Sequence, residues 1–153
     1  MSRAFTRESD NEKPRPLPEL PTSTGPNPVT PRGARRIEEK IREIETALLQ
    51  ADTEALRREL RYWRSRYATM DIIDPIATPD RVAFGTRVTI KRRGHDTVFQ
   101  IVGQDEADPK RGSISWMSPL ARAIDGAKAG ETVEMELSGG TEPVTIVSVA
   151  GEG

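Results

Sequence analysis

An α+β fold, with a short helical hairpin ahead of a mainly antiparallel sheet carrying one helix, follows from three observations in this sequence. Between residues 30 and 70, apolar side chains recur at alternating spacings of three and four, the helical period. From residue 81 onward they alternate in short runs separated by glycine-bearing turns, the strand period. Prolines crowd into residues 1–29 and recur at Pro75 and Pro79, so neither segment sustains a helix or a ladder. The chain therefore divides into a disordered proline-rich tail over 1–29, a hairpin over 30–71, a linker over 72–80 and a second domain over 81–153.

In the hairpin, Thr30 is a suitable N-cap and Pro31 suits the first helical position. Ala34, Ile37, Ile41, Ile44 and Leu48 then form one seam. The pattern breaks at Gln50-Ala51-Asp52, where Asp52 is expected to cap a second helix and Glu54 to favour its first turn. Leu56, Leu60, Trp63, Tyr67 and Met70 form a matching seam, so the helices are expected to pair antiparallel. Glu38, Glu39, Glu43 and Glu45 on the first helix face an arginine run of Arg57, Arg58, Arg61, Arg64 and Arg66 on the second, which predicts that charge sets the register. Trp63 and Tyr67 fall in the seam, away from the arginines. The run therefore reads as a solvated face and not as a base-stacking surface.

In the second domain, Val82 to Ile90 reads as a strand interrupted at Gly85, Arg93 to Asp96 as a turn, and Thr97 to Val102 as a returning strand. Ser113 to Met117 reads as a third strand. Ser118 and Pro119 cap and open a short helix that Gly126 ends. Thr132–Leu137 and Val144–Val149 complete the sheet around a Ser138-Gly139-Gly140 turn.

Composition excludes several functions. Of the 153 residues, 35% are hydrophobic and 31% charged, with a net charge of −1, so bulk charge does not mark a nucleic-acid binder. No cysteine is present, which removes thiol chemistry and suits a reducing cytoplasm. No apolar run is long enough to span a membrane. His95 is the only histidine and lies in an expected turn, so no histidine pair holds a metal. Asp105, Glu106 and Asp108 form the densest carboxylate cluster and read as an exposed turn between strands. No nucleophile–base pair is apparent, so the chain is not expected to be an enzyme or to carry a cofactor.

Residues 81–150 resemble the C-terminal domain of the bacterial Gre transcript-cleavage factors. The resemblance rests on Phe84-Gly85, the run from Ile101 to Asp108, Ser118 to Ala123, and Gly130-Glu131. The Val29-Thr30-Pro31-Arg32-Gly33 opening is similar to the start of that family's coiled coil. The resemblance implies an FKBP-like fold that docks on the rim of the RNA polymerase secondary channel through the loop entering its short helix. Ser118 and Pro119 match that loop, and Met117 stands where the family often has Asp or Asn. Cleavage in the family depends on a long hairpin whose acidic tip helps hold a second Mg²⁺. This hairpin is much shorter, and Asp52 and Glu54 at its tip do not match the tip motif.

The expectation is thus a polymerase-binding elongation regulator that does not itself stimulate cleavage. It is expected to be a cytoplasmic bacterial monomer that meets nucleic acid only through the transcription complex. The alternatives are a true Gre-type cleavage factor and a regulator resembling the Rnk group, associated with nucleoside diphosphate kinase. A prolyl isomerase is suggested only by the FKBP-like fold, and the scarcity of aromatics argues against it.

Overall fold

The computed structural model describes residues 17–22 and 24–151, so the first sixteen residues of the expected tail lie outside them. The end of that tail is ordered. Asn27 and Val29 are buried, and strand β1 (Pro28–Val29) pairs in parallel with β2 (Asp71–Ile72), closing the base of the hairpin.

Helix α1 spans Pro31–Gln50. It begins as its sequence dictates, with the Thr30 hydroxyl accepting from the Gly33 amide at 3.0 Å and Pro31 in the first turn. Helix α2 spans Glu54–Thr69, but its cap is Thr53, whose hydroxyl accepts from the Leu56 amide at 3.2 Å. Asp52 lies one residue too early to cap and pairs with Arg57 at 2.9 Å. Both residue types make good caps, and the tight turn selects the second. At ~1.5 Å per residue the longer helix gives a rod of roughly 30 Å.

The two seams meet as expected through Ala34, Ile37, Ile44 and Leu60, all buried. Two expectations fail. Tyr67 is 47% exposed, and the fully buried residue at this end of α2 is its neighbour Arg66. The lower part of α2 turns a second stripe, Tyr62, Arg66 and Thr69, toward Asn27 and the sheet domain. Charge does not set the register either. Among the described residues, the only ion pair between those glutamates and the arginines of α2 is Arg64–Glu45, at the 4.0 Å limit and well exposed. Such a pair contributes at most about 1 kcal/mol, so the apolar seam decides the pairing.

The second domain is a five-stranded sheet in the order β5-β4-β3-β7-β6. Its strands are β3 (Arg87–Arg92), β4 (His95–Val102), β5 (Ser113–Ser115), β6 (Thr132–Leu137) and β7 (Gly140–Ala150). Val82 to Gly85 is not strand. Gly85 has φ +86°, and the buried Thr86 hydroxyl closes a turn onto the Ala83 carbonyl at 2.7 Å. The hairpin turn is only Arg93-Gly94, both at positive φ, so His95 opens β4 and stays exposed. The irregularity placed at Gly85 occurs instead between Thr89 and Ile90, where the register against β7 shifts.

β5 is shorter than expected and runs parallel to β4, so the sheet is mixed. Two 3₁₀ turns, Gln104–Glu106 and Pro109–Arg111, carry the chain across the end of the sheet between them. Helix α3 (Pro119–Ile124) is capped by Ser118, whose hydroxyl accepts from Ala121 at 3.2 Å. It buries Ala121 and Ile124 against Val88, Ile90, Phe99 and Ile146, which form one apolar core.

The cap assignment is directly testable. Thr53→Ala should destabilise the chain by about 1 kcal/mol in urea unfolding, whereas Asp52→Ala, which removes an exposed pair, should cost less than about half of that.

Candidate functional site

The acidic turn after β4 is where hairpin and sheet domain meet. Gly103 brings the chain close to the hairpin entry, because a Cβ there would stand 2.6 Å from the Pro28 carbonyl oxygen. The 3₁₀ turn that follows points Glu106 at the start of α1. Its carboxylate accepts from the backbone amides of Thr30 and Gly103, both at 3.0 Å, and from the Thr30 hydroxyl. Gly33 leaves room for it, since a Cβ at that position would stand 2.1 Å from the Glu106 carboxyl carbon. The same Thr30 hydroxyl caps α1, so one side chain joins the helix start to the sheet domain.

Asp105 points to the other helix. It accepts from Arg66 Nε at 2.6 Å and from the Tyr62 hydroxyl. Arg66 Nη2 in turn donates to Asn27 Oδ1 at 2.6 Å, and Asn27 Nδ2 donates to the Arg66 carbonyl at 3.0 Å. The Arg66 and Asp105 side chains are only 2% and 5% exposed. The expected exposed turn is therefore a buried anchor in which each carboxylate serves a different helix. Only Asp108, paired with Arg111 at 3.5 Å, keeps the surface role expected of it. Divided in this way the three carboxylates do not converge on one point. Among the described residues no group of three or more carboxylates or histidines could hold a metal ion.

The residues expected to bind a partner sit elsewhere on the same domain. Met117 is 43% exposed and Pro119 is exposed, while the Ser118 hydroxyl serves as the α3 cap. The loop is closed by two local hydrogen bonds, the Met117 amide donating to the Ser115 hydroxyl at 3.1 Å and the Ser118 amide to the Ser115 carbonyl at 2.9 Å. Beside it opens a cavity of about 300 Å³ lined by Phe84, Ile101, Trp116 and Ala121, with Arg122 and Asp125 among its polar residues. A short exposed loop next to an apolar recess can take one side chain of a partner protein.

At the far end, the hairpin tip carries Asp52 and Glu54, neither of them free. Asp52 pairs with Arg57 at 2.9 Å, and Glu54 with Arg61 at 3.0 Å. Leu49, beside them, is 87% exposed. Sequence reasoning missed Tyr62, Arg66 and Asn27. The one local signal was Gly33, a poor helix former placed in a first turn, which marks a close approach.

Residues 77–150 match the family described as the C-terminal domain of the transcription elongation factors GreA/GreB. The chain is 31% identical to the transcription elongation factor GreA of Alkalilimnicola ehrlichii, over an alignment 151 residues long that takes in 80% of this chain and 96% of that one. This chain therefore lacks residues that the relative has within the matched stretch. GreA of Rhodopseudomonas palustris is 45% identical over 87 residues, 55% of each chain. Among solved structures, the GreA factor homolog Gfh1 of Thermus thermophilus aligns with 83% of this chain and all of its own, at 17% identity and a TM-score of 0.41.

The anchor has a pH signature. Burial first, and then the hydrogen bond to Asp105, push the Tyr62 phenol up to about 12. In the unfolded chain it ionises near ~10, so between these values the unfolded state binds fewer protons and stability falls as pH rises. Its contribution is complete below ~10 and is lost toward 12. Tyr62→Phe should flatten the alkaline part of a stability-versus-pH curve measured by urea unfolding, leaving the neutral part nearly parallel to that of the parent chain.

Proposed function

This chain belongs to the GreA/GreB family of transcription elongation factors, and on that premise we propose that it docks on bacterial RNA polymerase without stimulating transcript cleavage itself. Docking at the rim of the secondary channel uses the exposed Met117–Pro119 loop and the neighbouring recess lined by Phe84 and Trp116. The sheet domain supplies the address, and the hairpin enters the channel ahead of it. The protein acts as a monomer in the cytoplasm and meets nucleic acid only inside the transcription complex. Among the described residues no helix is long and apolar enough to cross a membrane, which accords with that setting.

The observation that carries the non-cleaving reading is the state of the hairpin tip. Cleavage of backtracked RNA requires free carboxylates delivered to a metal ion deep in the enzyme. Here Asp52 and Glu54 each lie against an arginine of α2 in an exposed pair, Arg57 at 2.9 Å and Arg61 at 3.0 Å. Releasing either toward a cation would leave Arg57 or Arg61 facing that cation, which opposes binding. Reach adds a second obstacle, because a rod of roughly 30 Å is short. The protein then serves as an occupant of the channel that limits entry of cleavage factors, and no residue of this chain is catalytic.

Added to a purified, backtracked polymerase complex, the protein should leave the RNA full length and slow shortening by an authentic cleavage factor. Met117→Arg alters an exposed side chain and should weaken that competition about tenfold with the fold intact. Efficient shortening by this protein alone, abolished in Asp52→Ala, would overturn the reading.

A further inference from the structure

We propose that the arginine face of α2 is a docking surface for an acidic, leucine-bearing segment of a partner protein, and that residues 17–22 of this chain occupy it as a displaceable strap. The strap is Leu17-Pro18-Glu19-Leu20-Pro21-Thr22, lying alongside α2. Glu19 forms a two-pronged pair with Arg61, its carboxylate oxygens 3.0 and 3.1 Å from Nε and the first of them 2.7 Å from Nη2. Arg58 Nη1 donates to the Pro18 carbonyl oxygen at 3.3 Å. Leu20 is half-buried. The contacts read a carboxylate and an extended backbone together, which is how a peptide is recognised.

The face offers more than the strap uses. Arg58 Nε is buried with no hydrogen-bond partner among the described residues. Among the described residues Arg64 has only Glu45, at 4.0 Å. Arg61 also borders a cleft of about 400 Å³ lined by Leu48, Leu49 and Leu60 with Arg57 and Arg64. A chain carrying a second carboxylate and an apolar side chain would satisfy both features, and the strap is a shorter version of that chemistry. Prolines at 18 and 21 hold it extended and lower the entropy lost on seating.

The strap is also held loosely enough to leave. Arg61 and Glu19 are 46% and 63% exposed, so salt screens their attraction. Phosphate backbones would meet the same arginines, but the occupant in place is a carboxylate flanked by leucines. That favours protein over nucleic acid. The inference stands apart from channel docking, because it is tested on the isolated full-length chain.

The chain has no cysteine, so a nitroxide on Thr22→Cys labels one site only. It should broaden the amide signals of residues 57–65 at low salt. The broadening should fade at about 0.5 M salt and vanish with Glu19→Arg. A fluorescent peptide copying residues 14–24 should bind the Glu19→Arg chain about three- to tenfold more tightly than the parent chain, and Arg58→Ala/Arg61→Ala should remove that binding. Absence of broadening in the parent chain, or equal peptide affinity with and without Glu19→Arg, would overturn the strap. A single-stranded oligonucleotide binding the Glu19→Arg chain more tightly than the peptide would overturn the partner class.

Discussion

Two neighbouring carboxylates, Asp105 and Glu106, hold the hairpin against the sheet domain, and the rest of the molecule takes its position from that contact. Glu106 accepts two hydrogen bonds from Thr30 at the root of α1 and one from Gly103 of its own turn, and Asp105 holds the buried Arg66 of α2. A buried ion pair is a weak source of net stability, because desolvation offsets most of the Coulomb attraction. Leaving either charge alone in that site is costly, however, so the network discriminates strongly against other arrangements. Its effect is on orientation: it fixes which way the hairpin points relative to the sheet. Asn27 and the β1–β2 pair extend the same constraint to the entering chain.

Orientation is what a short hairpin needs. With roughly 30 Å of rod, a tilt of about 20° at the root displaces the tip by about 10 Å. Under the proposed function, the Met117–Pro119 loop of the sheet domain chooses the binding place and the anchor fixes where the hairpin goes. The tip then presents Leu49 and carboxylates already engaged by arginine.

Features set by neighbouring residues were legible in the sequence. Thr30 and Ser118 cap their helices, and Thr132–Leu137 pairs with the strand beginning after Gly139, because each depends on residues a few positions away. The α+β class was legible for the same reason. The anchor was not. Asp105 meets Arg66 across 39 residues, and Glu106 meets Thr30 across 76. An acidic pair in a turn and an arginine in an arginine-rich helix each look like ordinary surface. Asp52 and Thr53 illustrate a finer limit: both can cap, and only the geometry of the turn distinguishes them. The parallel β5 escaped notice because the crossover to it is made of two 3₁₀ turns and not of a helix with its own apolar period.

The most direct measurement of a fixed hairpin is the distance between spin labels on Leu49→Cys at the tip and Val98→Cys on the sheet, both exposed positions in a chain without other cysteines. Pulsed electron resonance should return one narrow distance population in the otherwise unaltered chain. The same distance should spread broadly once Arg66→Ala and Glu106→Ala remove the anchor. A broad distribution before those changes, or a narrow one that survives them, would contradict the account.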